Sequence, residues 1–126
     1  MGVLTRPSRV EYVWINSPVL DALDGTLYID PKSGRFGFVR DSHVGGERWY
    51  WQIPIDDLRL LLSGQDGGSR PVVLEFRTES SSDWKETNAV LSINRSTGHV
   101  LIRPEKDGNG ECRFLLNDIE SLFAEF

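Results

Sequence analysis

Chemistry-bearing residues are scarce: the chain of 126 residues has one cysteine and two histidines. A lone Cys112 cannot close an internal disulfide, and it cannot furnish an all-cysteine zinc site. Its place on a predicted strand points to a buried thiol rather than a nucleophile. His43 and His99 complete no catalytic constellation with it, and no phosphate-loop pattern, HExxH pair or EF-hand loop occurs. Neither a cofactor nor a metal is therefore expected, and the chain is not expected to be an enzyme. Long apolar runs are missing too. The start, Met1 to Val10, lacks the apolar stretch of a secretory signal, and no segment approaches the roughly 18 apolar residues of a membrane span. These absences predict a cytoplasmic protein with no membrane association, in which the sequon Asn94-Arg95-Ser96 carries no weight. Positive charge is also short. The net charge of -5 argues against a general nucleic-acid coat but leaves room for a small basic patch.

What is present suits a core: 39% of the residues are hydrophobic, in a length typical of one compact domain. Within it a pattern recurs. Leu27 to Phe38 resembles Leu91 to Ile102, with Gly34 and Gly98 in register at an offset of 98 - 34 = 64. Leu27, Ile29, Phe36 and Phe38 alternate with other residues, as do Leu91, Ile93, Val100 and Ile102, so each segment reads as a hairpin. Asp30 and Asn94 can accept hydrogen bonds from the turn, and Gly34 and Gly98 supply the positive φ that ends it. A further strand precedes each hairpin, around Val10, Tyr12 and Trp14 and around Val72, Leu74 and Phe76. Another follows, Arg48 to Ile53 in the first copy and Cys112 to Leu116 in the second.

Each copy then ends in a short helix. Asp56 and Asn117 are suited as N-caps, and Glu120 is spaced to complete a capping box with Asn117. Leu58, Leu61 and Leu62 form one apolar stripe, and Ile119, Leu122, Phe123 and Phe126 form another. The adjacent carboxylates Asp56 and Asp57 read as helix-start residues rather than as an acid-base pair. The expected fold is α+β: internally duplicated four-strand-plus-helix units, residues 10–63 and 72–126, joined by the polar run Ser63 to Pro71 and forming one domain with curved antiparallel sheets. The pattern leaves open whether the strands make one continuous sheet, two crossing sheets or a closed barrel.

Function is sought in residues the pattern does not require. Trp49 and Trp51 share one parity of the fourth strand, and Arg48, Tyr50 and Gln52 share the other, so either face can carry recognition groups. Arg35, Arg40 and Arg48 can join such a surface, as can Trp14 or Tyr28. Residues 1–64 hold 7 Lys+Arg against 8 Asp+Glu and residues 65–126 hold 7 against 11, net -1 and -4, which favours the first half for any anion-binding face. The turn Asp41 to Gly46 is a further possible contact.

The preferred expectation is a non-catalytic protein-interaction or assembly module, binding a protein partner or forming a homodimer through an aromatic-rich sheet surface made of Trp49, Tyr50, Trp51, Arg35, Arg40 and Arg48. The predicted topology also resembles that of the PUR-repeat and Whirly-like nucleic-acid-binding proteins, across nearly the whole chain and without a shared residue motif. That resemblance implies single-stranded nucleic acid as the alternative partner, with Trp49, Tyr50 or Trp51 stacking on bases and Arg35, Arg40 and Arg48 meeting phosphates.

Overall fold

The computed structural model describes residues 2–14, 20–40, 48–64, 68–105 and 110–126. Eight strands follow one another around a closed antiparallel barrel: β1 (Leu4–Trp14), β2 (Leu20–Asp30), β3 (Arg35–Arg40), β4 (Trp49–Pro54), β5 (Ser69–Thr78), β6 (Lys85–Asn94), β7 (His99–Pro104) and β8 (Gly110–Leu115). Helix α1 (Ile55–Leu62) lies between β4 and β5, and α2 (Leu116–Ala124) follows β8. The meander closes because β1 pairs with β8, from Glu11 opposite Arg113 to Trp14 opposite Gly110.

Strand alternation divides inside from outside. Leu27, Ile29, Phe36, Phe38, Ile53, Leu74, Leu91, Val100, Ile102 and Phe114 are buried, and the residues between them face outward. Phe38 meets Phe114 across the interior, edge to face at 4.6 Å. The barrel's end is closed by the helices. Leu58 and Leu61 of α1, and Ile119 and Leu122 of α2, join the strands' inward side chains in one core, and Phe123 comes within 6.4 Å of Phe36. Fully burying an aliphatic or aromatic side chain of this size contributes about 1.5–3 kcal/mol of transfer free energy, so the helices are integral to the core.

The two helices begin where the two hairpin turns end. Asp30 Oδ1 accepts from the Lys32 amide, and Asn94 Oδ1 from the amides of Ser96 and Thr97. Gly34 and Gly98 then adopt φ of 70° and 75°. The carbonyl of each glycine accepts the first helical amide, Ile55 N–H to Gly34 O at 2.9 Å and Leu116 N–H to Gly98 O at 2.8 Å. A helix start leaves its first amides without partners inside the helix, and here the neighbouring turn satisfies one of them.

Several expectations are corrected by this arrangement. The chain is not an internal repeat of four-strand-plus-helix units with separate curved sheets. The strands at the boundary between those units, β4 and β5, pair from Trp49 opposite Thr78 to Gln52 opposite Glu75, and β1 with β8 closes the other boundary, so all eight belong to one wall around one core. The likenesses at the offset of 98 - 34 = 64 locate similar turns and helix starts, which are features within that wall. Strand β1 starts at Leu4 rather than near Val10, and β5 starts at Ser69, taking in Arg70 and Pro71 from the expected polar connection. Asp56 and Asn117 are not N-caps. The cap positions are Pro54 and Leu115, whose side chains carry no hydrogen-bond acceptor, and the capping box with Glu120 does not form.

Candidate functional site

The outer wall over β2 to β5 gathers polar and aromatic groups into a connected face. Tyr28, Gly37, Gln52 and Glu75 stand side by side as cross-strand partners. Tyr28 lays its ring over the backbone of Gly37, where a Cβ would come within 2.5 Å of the tyrosine Cζ and 2.4 Å of the Trp51 carbonyl oxygen. Glycine is therefore what lets the ring lie flat on the wall. The Tyr28 hydroxyl donates to Gln52 Oε1 at 2.9 Å, Gln52 Nε2 donates to Glu75 Oε1 at 3.2 Å, and Arg35 Nε meets the same carboxylate oxygen at 3.0 Å. Burial pushes the Tyr28 phenol up from 10.0 to about 12, with the positive charge of Arg77 acting in the opposite direction. The phenol is a standing hydrogen-bond donor rather than a base.

One row toward the other end of the barrel, Tyr50 faces Arg77 across β4 and β5. The guanidinium carbon of Arg77 lies 4.2 Å from the Tyr50 ring centre and 5.0 Å from that of Trp84, in the β5–β6 connection. Arg77 Nη1 also donates to the carbonyls of Thr78 at 3.3 Å and Ser81 at 3.1 Å, which ties the connection to the wall.

The six residues singled out from the sequence fall on two faces. Arg35 and Tyr50 lie on the outer wall just described. Trp51 has the inward parity, half-buried against the core with its ring 5.4 Å from Phe38. Trp49 and Arg40 are direct partners on that same parity, at the barrel end away from the helices, where Trp49 is 44% exposed. Arg48 is exposed just before β4, and its amide approaches Glu79 Oε2 at 3.4 Å. Trp14 has its backbone in β1, but its side chain is outside the description, and the turn Asp41 to Gly46 lies outside the described residues. Gln52, Glu75, Arg77 and Trp84 were not anticipated as one surface with Tyr28. The signal that unites them is the β4–β5 pairing, which brings outward parities from both halves of the chain together.

Cys112 is buried and its thiol is pushed well above its ordinary range by desolvation, so it stays protonated. On the opposite wall Glu111 is held by Arg103 Nη2 at 3.1 Å and by Arg113 Nη2 at 3.0 Å, two guanidinium groups that neutralise its carboxylate. Among the described residues no group of three or more His, Cys, Asp or Glu is placed to hold a metal ion. No helix among them is long and apolar enough to cross a membrane. Comparison with protein-family models, curated proteins and solved structures finds no match for this chain.

Proposed function

We propose that this chain is a non-catalytic protein-recognition module whose binding face is the outer wall over β2 to β5. The observation that carries the reading is Arg77 spread over the Tyr50 and Trp84 rings beside the Tyr28–Gln52–Glu75–Arg35 chain. Tyrosine, tryptophan and arginine are the residues on which protein interfaces most often concentrate their energy. Here their polar groups engage one another, and Glu75 answers Arg35, so the face has little net charge to set against a polyanion. The reading places the protein in the cytoplasm, in keeping with a buried free thiol at Cys112.

The test is a photo-crosslinking residue placed at Val39, on the outer wall, or at Leu101, on the opposite one, with the protein expressed in its native cells. A covalent protein adduct specific to Val39 and lost with Tyr50→Ala or Trp84→Ala is expected. Equal labelling from both walls would overturn the proposal. The partner can be a second copy of the chain, which sedimentation over a concentration series identifies.

Single-stranded nucleic acid is the second reading, favoured by one observation: Trp49 and Arg48 are both exposed at the start of β4. Filter binding at low and physiological salt tests it. Binding that weakens with salt and fails with Trp49→Ala supports it, and no binding at low salt rejects it.

A further inference from the structure

Arg77 has one occupied edge and one open edge. Nη1 is committed to the carbonyls of Thr78 and Ser81, and the guanidinium plane is covered by Tyr50 and Trp84. Nε and Nη2 make no hydrogen bond among the described residues, and neither is sealed from solvent. These two N–H groups form the side-on fork that meets a carboxylate with two parallel hydrogen bonds. Two rings and two carbonyls hold the fork in place before a partner arrives, which lowers the ordering cost of using it.

We infer that the Nε/Nη2 edge of Arg77 is the anchor for a single carboxylate, an aspartate or glutamate side chain of the protein partner. This deepens the proposed recognition face and rests on it. Charge complementarity selects the occupant. Arg77 supplies one positive charge, whereas Glu75 lies on the same face and Glu79 and Asp83 sit in the connection that Arg77 ties down. Those carboxylates repel a run of phosphates but leave the fork able to accept one isolated negative group between apolar rings.

The experiment follows the Arg77 side-chain Nε–H resonance in the ¹⁵N-arginine spectrum of the full chain. Three probes are titrated: a short acetylated and amidated peptide of alternating glutamate and leucine, the same peptide with glutamine for glutamate, and a short oligothymidylate. The glutamate peptide is expected to move the Arg77 signal, and the glutamine peptide to bind about tenfold more weakly or worse. Arg77→Lys, which keeps the charge but not the fork, should weaken the glutamate peptide several-fold, and Arg77→Gln more. Equal binding of the two peptides, an unmoved Arg77 signal, or a shift with oligothymidylate alone would overturn the inference. Adducts that depend on Tyr50 and Trp84 while the peptides bind alike would leave the recognition face standing without its carboxylate anchor. Crosslinking indifferent to Tyr50 and Trp84 would remove the face itself, and the Arg77 signal would still decide the anchor.

Discussion

Gly37 sets how closely the Tyr28 ring approaches the wall, so it controls the centre of the proposed recognition face from below. Adding one methyl group there meets both a ring and the Trp51 carbonyl oxygen, and the backbone member of that pair cannot swing aside. Gly37→Ala is expected to lower stability by about 1–3 kcal/mol, the range for forced overpacking, read from urea unfolding. It should also detach the Tyr28 hydroxyl from Gln52. The same phenol gives a pH signature. Below pH 10 it is protonated whether the chain is folded or not; from there upward the unfolded chain releases the proton first, while the fold holds it to about 12. The stability from this proton is therefore complete below 10.0 and is lost as pH rises through about 12. Tyr28→Phe should flatten the decline over that window, measured as the urea midpoint at successive pH values. Tyr28 could be seen in the sequence as an outward residue of a hairpin. Its place over Gly37 is written less legibly, because it depends on which strand edge pairs with which.

At the level of elements, turn chemistry was the legible part. Asp30 with Gly34, and Asn94 with Gly98, act within a few residues of themselves, so their hydrogen bonds and positive φ could be anticipated from spacing alone. The helix starts were not, since their capping groups come from a turn about twenty residues upstream, at Gly34 and Gly98. Asp118 illustrates the consequence. Placed in the first turn of α2, it accepts from Arg6 Nε at 3.0 Å and from the Ser8 hydroxyl at 2.6 Å, fastening the helix to β1 rather than capping it. Asp118→Ala should cost about 1–2 kcal/mol, reduced from a buried charged bond because Arg6 is partly exposed. Asn117→Ala, at the position favoured by sequence for the cap, should change stability by less than about 0.5 kcal/mol. The pair of urea midpoints distinguishes anchoring from capping.

Across the molecule, closure was the least legible property. Alternating strands of this kind satisfy an open sheet or a barrel equally, and the choice rests on β1 meeting β8 across nearly the full length of the chain. Closure is also incomplete at each boundary between the halves. The pairing of β1 with β8 begins at Glu11, so among the described residues Leu4 to Ser8 has a strand on one side only, and β4 likewise leaves Ser69 to Leu74 with β6 alone. A half-paired strand is a template for another chain. Pro7 and Pro71 lie within these two stretches, and each is paired to its one neighbour, so the missing N–H is tolerated on the side where no strand follows. A proline there interrupts the row of donors that an incoming strand would need. The prolines thus act beside the helices, which reach these stretches through Asp118 to Arg6 and Asp57 to Arg70, in guarding two edges that strand pairing leaves open. Replacing both, Pro7→Val with Pro71→Val, should retain the parent's far-ultraviolet spectrum at low concentration while raising the concentration-dependent sedimentation coefficient above that of the parent. Unchanged association in the double variant would mean that the helices beside these strands, rather than the prolines, keep the edges closed.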